Sequence, residues 1–303
     1  MKLLVSPLAR GAYYDDVLAV ALAELGAVFP GASATPETRG PLALVDVDLP
    51  ETEAPRLAGL SWVQAVLSAD GDGLVVLEAD PGFVLPDDLV WGAKYRGKTN
   101  ELATLMALNV ARAACAHPAG TVLDPMAGRG TTLLWGLRTG LESWGIEREA
   151  SAIGDLQRHL KKQTKLHRIK HTLTQGGRAA GAFLDLRVGD GRLRLITGDT
   201  REAPEILQRK RFDLVVTDLP YGVQHTGPNG TRDPLTVLKA SAAGWAASLV
   251  PGGAMALLFN RNLPRRDALI AAFAPTGLEV LPFEAPHRMS ESIVRDLLVL
   301  RAP

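Results

Sequence analysis

The sequence predicts an α/β fold: a seven-stranded, mostly parallel sheet closed by an antiparallel C-terminal hairpin, behind a small N-terminal α/β unit. Three observations predict it. From Thr121 onward short apolar runs alternate with helical stretches, the pattern of a parallel sheet. Four of those runs end in a carboxylate, at Asp124, Glu147, Asp199 and Asp218. The carboxyl ends of parallel strands are where open α/β sheets bind ligands. The charge is also divided. Residues 1–90 hold four basic and 14 acidic residues, a net of −10, and the remaining 29 basic and 19 acidic residues carry +10. Such asymmetry marks two domains, 1–90 and 91–303.

In the first domain, residues 3–5 read as a strand and 15–25 as a helix, capped by Asp15 or Asp16 and ended by Gly26. Residues 30–41, rich in Gly, Pro, Ser and Thr, read as a loop. Residues 42–47 are a second strand, 51–67 a second helix and 73–78 a third strand. Residues 80–98, with two prolines and three glycines, read as a linker. Asn100 then caps a helix to about residue 116, with Leu102, Leu105, Met106 and Val110 at helical spacing.

The second domain alternates. Strands are expected at 122–124, 144–147, 184–188, 193–196, 214–218, 254–260, 278–282 and 293–300, the last two forming the hairpin. Helices fall at 128–140, 150–171, 235–249 and 265–273, and residues 176–182 read as a flexible insert.

Asp124-Pro125-Met126-Ala127-Gly128-Arg129-Gly130-Thr131-Thr132 joins a strand to a helix through glycines, which let a ligand approach the backbone. A dinucleotide site needs a third glycine where Leu133 stands, and Asp124 would repel a phosphate. An acidic residue suits a cationic ligand end, such as the amino group and sulfonium of S-adenosylmethionine. Glu147, 23 residues on, is placed to hold ribose hydroxyls, a geometry that also serves nicotinamide enzymes.

The stretch 212–222, F-D-L-V-V-T-D-L-P-Y-G, begins as a strand buried on both faces and stops at Asp218, because Pro220 cannot continue a central strand. Asp218 and the carbonyls of Leu219 and Pro220 can accept the hydrogens of an exocyclic amine, and Tyr221 can stack on a planar base. An ordinary strand-and-turn is the plainer alternative. Asp218-Leu219-Pro220-Tyr221 resembles the fourth motif of the amino-methyltransferases, Asp/Asn-Pro-Pro-Tyr/Phe, with Leu219 in place of the first Pro. With Gly222 behind it, the stretch looks most like the THUMP-domain guanine-N2 RNA methyltransferases. The 124–132 stretch is similar to the first motif of the same enzymes.

The resemblance implies a class I methyltransferase, Rossmann-like domain at 91–303, S-adenosylmethionine as cofactor and guanine N2 of tRNA as substrate. It gives Asp199, with Thr200, to the adenine end of the cofactor and matches Lys98-Thr99-Asn100 to a motif upstream of the first strand. Pro125, Ala127, Gly128, Gly130 and Thr131 fall in the cofactor loop. It also implies an N-terminal RNA-binding module. Residues 1–90 are shorter than that module, and their acidity opposes a grip on phosphates. A docking or substrate-gating domain is an equal reading.

No acidic residue lies between Leu156 and Leu184, a window holding Lys161, Lys162, Lys165, Arg168, Lys170 and Arg178. Such a run is either a solvated face or the phosphate contact of an RNA enzyme. The one cysteine, Cys115, excludes an internal disulfide and reads as a core residue. The histidines lack partners for a zinc site. No apolar run approaches the length of a membrane span, and a cytoplasmic protein is expected. Two rivals stay open: methyl transfer to a small-molecule, peptide or DNA amine, and a non-catalytic RNA-binding protein.

Overall fold

In the computed structural model, which describes every residue except 72, 93–98, 179–180, 221–233 and 291–292, the chain forms two sheets. The first comprises β1 (Lys2–Val5), β2 (Ala34–Arg39), β3 (Leu42–Val47), β4 (Val63–Asp70) and β5 (Gly73–Val76). They are antiparallel throughout, in the order β2-β3-β1-β4-β5. Helices α1 (Leu8–Tyr13), α2 (Val17–Val28) and α3 (Ala54–Ala58) connect them.

Three sequence expectations are corrected here. Residues 34–39 are a strand, not a loop: β2 is an outer strand, where Pro36 is tolerated because its missing N–H removes no central ladder bond. The helix expected over 51–67 stops at Gly59, and Val63–Asp70 pairs with β1 instead. Gly26 lies inside α2, which runs on to Val28.

The second sheet takes the rest of the chain. After α4 (Asp88–Trp91) and α5 (Glu101–Ala114) come β6 (Thr121–Asp124), α6 (Thr131–Arg138), β7 (Glu142–Glu147) and α7 (Ser151–Leu166). β8 (Thr172–Arg178), β9 (Gly181–Val188), β10 (Gly191–Thr197), α8 (Ala203–Ile206) and β11 (Phe212–Asp218) follow. Then come α9 (Pro234–Ala247), β12 (Leu249–Asn260), α10 (Arg266–Phe273), β13 (Glu279–Val280), β14 (His287–Ser290) and β15 (Ile293–Arg301). The order is β13-β15-β12-β11-β6-β7-β10-β9-β8, with β14 also on β15. The five strands β10, β7, β6, β11 and β12 are parallel, and β15 enters antiparallel beside β12.

Among the described residues the sheet thus has ten strands rather than seven. The supposed insert at 176–182 supplies part of the difference, and β14 another part. Thr172–Arg178 and Gly181–Val188 pair antiparallel and extend the sheet beyond β10. Glycines at 176 and 177 hid this strand from a composition reading.

Nor do the two sheets hang on a free linker. Leu85, Leu89 and Val90, from the supposed linker, are buried. Val84 N–H donates to the Arg138 carbonyl (2.9 Å), and Arg138 Nε donates to the Leu85 carbonyl (2.9 Å). Apolar residues of both units, including Leu3, Leu25, Leu57, Met106, Leu133 and Leu258, share one core. Buried Glu24 of α2 accepts from Ser61 Oγ (2.5 Å), from Ser61 N–H (3.0 Å) and from Asn109 Nδ2 of α5 (2.8 Å). Since Ser61 donates to Glu24, Tyr13 OH donates to Ser61 (2.9 Å). Burial raises the Glu24 pKa, and these hydrogen bonds oppose the rise.

Candidate active site

From β6 the sheet grows one way through β7 and β10, and from β11 the other way through β12. β6 and β11 are parallel neighbours, so the crevice between their carboxyl ends is the topological switch point of the fold. Asp124 and Asp218 end these two strands.

Asp124 is only 3% exposed. Burial pushes its pKa up to about 6. The Thr132 hydroxyl and the Met126 N–H (3.0 Å from Oδ1) favour the anion, and the charge of Asp218 opposes it. Beyond Asp124 the loop turns back on β7. Pro125 is buried, and Ala127 N–H donates to the Ile146 carbonyl (2.9 Å). Gly145 must be glycine, since a Cβ there would lie 2.7 Å from Ala127 Cβ. Gly128 and Gly130 have φ of 52° and 86°, the left-handed region that L side chains avoid. The space where a Gly128 Cβ would stand is open, which leaves backbone accessible to a ligand. Gly130 caps α6, and Thr131, its first residue, is buried.

Glu147 closes this cradle. Its Oε2 accepts from Gly128 N–H (2.8 Å) and its Oε1 from Glu149 N–H (2.8 Å). One carboxylate so held from both sides ties the glycine turn to the end of β7. Asp199 follows β10, but Arg201 already engages it. Oδ1 accepts from Arg201 N–H (3.0 Å) and Nε (2.9 Å), and Oδ2 lies 2.5 Å from an Arg201 guanidinium nitrogen. That guanidinium holds the Asp199 pKa below its ordinary value.

Two predicted cofactor residues have structural partners in the fold. The Thr200 hydroxyl is buried and accepts from Trp245 Nε1 (2.9 Å). Asn100 caps α5: its Oδ1 accepts from Leu102 N–H (3.0 Å) and Ala103 N–H (3.1 Å).

At the end of β11, Asp218 Oδ2 lies 3.3 Å from a guanidinium nitrogen of Arg295. Leu219 N–H donates to the Leu258 carbonyl (2.8 Å), so β11 and β12 stay joined one residue past the carboxylate. Pro220 is half-buried. Tyr221, Gly222 and Lys98 lie outside the described residues. Sequence reading missed Arg295. The signal was there: Arg295-Asp296 interrupts an otherwise apolar final strand, and both side chains are buried.

The basic segment is not brought to this crevice. Lys161, Lys162, Lys165 and Arg168 are exposed. They lie in the second half of α7 and just past it, and α7 returns from the carboxyl end of β7 toward the opposite edge of the sheet. The ten residues from Ser151 to Lys161 span about 15 Å of helix. The helix also ends sooner than expected, at Leu166. Arg168 has φ of 52°, and Ile169 N–H reaches back to the Thr164 carbonyl (2.9 Å), a C-terminal cap that fixes Arg168 by its backbone. His159 is buried with Nε2 2.6 Å from the Leu89 carbonyl, and His167 lies 3.2 Å from Asp88.

A cavity of about 140 Å³ lies elsewhere, lined by Trp144, Phe183, Arg192, Arg194 and Leu207 among others. Its cations are ion-paired: Asp185 holds Arg192 (2.6 Å) and Arg194 (3.3 Å). Among the described residues no group of three or more His, Cys, Asp or Glu could hold a metal ion, and no helix is long and apolar enough to cross a membrane. Cys115 is half-buried rather than fully in the core.

No protein-family model matches the chain, and no curated protein matches it. Solved structures do. TrmN from Thermus thermophilus is similar over 100% of this chain and 99% of its own, at 16% identity and a TM-score of 0.51. The 16S rRNA N2 G1207 methyltransferase RsmC of T. thermophilus, solved with AdoMet and guanosine, is similar over 94% of this chain and 62% of its own, at 19% identity and a TM-score of 0.41. A TehB-like SAM-dependent methyltransferase from Corynebacterium glutamicum is similar over 67% of this chain and 87% of its own, at 14% identity and 0.39. At these identities the likeness is one of fold: the larger sheet has the class I methyltransferase, Rossmann-like arrangement.

Proposed function

We propose that the chain is an S-adenosylmethionine-dependent N-methyltransferase that methylates an exocyclic amine, guanine N2 in RNA and specifically in tRNA. One observation carries this reading: a glycine cradle with fixed carboxylates and an amine-accepting carboxylate end neighbouring strands at the switch point of the sheet. The residues fit the cofactor. Gly128 leaves its backbone open, Glu147 is held ready for ribose hydroxyls, and buried Asp124 offers a charge that a cationic group would satisfy. S-adenosylmethionine supplies a methyl group on a sulfonium, activated for in-line displacement.

The chain supplies position. Asp218 accepts one hydrogen of the substrate amine, and the carbonyls of Leu219 and Pro220 accept the other. A guanine amine is a poor nucleophile because its lone pair is delocalised into the ring. Acceptors on both hydrogens favour the tetrahedral geometry in which that lone pair can attack, and the proton that the methylated nitrogen sheds would pass to Asp218. Holding two reactants in line can contribute about 7–11 kcal/mol toward the barrier. Tyr221 stacking on the base would add about 1–3 kcal/mol to its capture. A base in a duplex must first leave the stack. Asp199 and Thr200 would border the adenine end, and Lys161, Lys162, Lys165 and Arg168 would touch phosphates well away from the reacting base.

The N-terminal unit, whose sheet ends at Val76, would recognise or gate the substrate. Its acidity and the distance of the basic segment favour one second reading, methyl transfer to a small-molecule or peptide amine. The test is single-turnover transfer of labelled methyl to bulk RNA, with calorimetry of S-adenosylhomocysteine binding. Label in N2-methylguanosine supports the reading. Cofactor binding with no labelled nucleoside favours the second, and NAD binding without S-adenosylhomocysteine binding overturns both.

A further inference from the structure

We propose that Arg295 is a positioning residue for the methyl-transfer step, holding the Asp218 carboxylate in the orientation that receives the amine. This rests on the reading of Asp218 given above. Arg295 sits in β15, opposite Asn260 of β12 on one side and His287 of β14 on the other. Its residue is 1% exposed, yet its guanidinium reaches across the end of β12 to Asp218 Oδ2 at 3.3 Å. Adjacent strands are about 4.8 Å apart, so the span from β15 to β11 requires a side chain of arginine's length.

The neighbours of Arg295 explain why it points there. Successive strand residues face opposite sides, so adjacent Asp296 turns away and meets Arg266 (3.2 Å) and Ala285 N–H (2.8 Å). His287 packs edge-on against Tyr13 with ring centroids 5.0 Å apart, and its Nδ1–H donates to the Ala285 carbonyl (2.8 Å). Burial, with Arg295 contributing, lowers the His287 pKa to about 4, so at neutral pH this ring places no second cation beside Arg295. A buried guanidinium persists where a carboxylate balances it, and Asp218 is a carboxylate set against it at the mouth of the crevice. A strand-end aspartate can rotate about two side-chain bonds. A charge-assisted bond at Oδ2 removes that freedom and fixes the acceptor before the substrate arrives.

The test combines Arg295→Gln, Arg295→Lys and Asp218→Asn in a double-mutant cycle. It reads single-turnover methyl transfer, S-adenosylhomocysteine affinity and thermal melting. Arg295→Gln is expected to slow transfer roughly 10- to 100-fold with cofactor affinity within about twofold, the range for a residue that orients another functional group. Arg295→Lys, which keeps the charge and loses the fork, should recover part of that rate. In the Asp218→Asn background, Arg295→Gln should add little. If Arg295→Gln does not fold, the Arg295→Lys cycle replaces it. Multiplied losses, or a full rate in Arg295→Gln, overturn the proposal. Failure of the underlying reading looks different: the unaltered protein itself transfers no methyl group.

Discussion

Two aspartates end adjacent parallel strands of this sheet, and their surroundings differ. Asp124 is enclosed, receives hydrogen bonds from neutral groups, and has its pKa pushed up to about 6 by burial. Asp218, three residues past the Val215–Leu123 pair that joins β11 to β6, has a buried guanidinium against it. Among the described residues no cation pairs with the first. The second is balanced from inside the protein, by a strand near the C-terminus. One residue type at the ends of neighbouring strands thus has two different surroundings, set by the groups packed against it.

The sharpest way to break this contrast is at Asp218. Asp218→Asn keeps the shape but weakens the acceptor and can turn an N–H toward the amine. The methyl-transfer rate should fall roughly 10²–10⁴-fold, the range for a positioned acid–base group, and S-adenosylhomocysteine affinity should stay unchanged. Single-turnover transfer beside calorimetry checks both. Full activity would leave Asp218 a structural strand end.

On the Asp124 side the comparison is sharpened first through Glu147. Glu147→Ala removes the proposed ribose acceptor and releases Gly128 N–H. A charged hydrogen bond contributes about 1.5–3 kcal/mol, so cofactor affinity should weaken roughly 10- to 100-fold in calorimetry. An unchanged affinity would show that the carboxylate serves only the loop.

A smaller effect should appear with pH. The Asp124 pKa is raised in the folded protein, so the fold binds its proton more tightly than the unfolded chain does. Between the ordinary value of 3.8 and about 6, falling pH therefore stabilises the ligand-free fold. A cationic ligand needs the anion, so its affinity should be full above pH 6 and fall at most about tenfold per unit below it. Titrations from pH 5 to 8 should show this slope, and Asp124→Asn should flatten it.

The smallest effect belongs to the basic segment, remote from both carboxylates. Reversing Lys161, Lys162, Lys165 and Arg168 should weaken RNA binding by roughly tenfold and make its salt dependence shallower. Cofactor affinity should not move. Filter binding across salt concentrations decides it, and an unchanged slope returns these residues to solvent.

Local patterns determined a good deal about this protein. The alternation after Thr121 set out the parallel strands, because a strand buried on both faces is a short apolar run whatever lies beside it. The glycines at 128 and 130 marked a turn with left-handed backbone, a property of one residue and its φ. The carboxylates at 124, 147, 199 and 218 fell at strand ends, since a charge stops a buried run. Tertiary structure alone decided the rest. It made Ala34–Arg39 an edge strand despite Pro36, and Thr172–Arg178 a strand despite its two glycines, because pairing with a neighbour outweighs weak local preference. It gave Thr200 to Trp245 and placed the basic residues across the sheet from the crevice, because a returning helix carries its last turns to the far edge. It also set Arg295 against Asp218 from 77 residues away. No local pattern carries that contact: it exists only once β15 lies antiparallel beside β12 and an arginine can span the strand between.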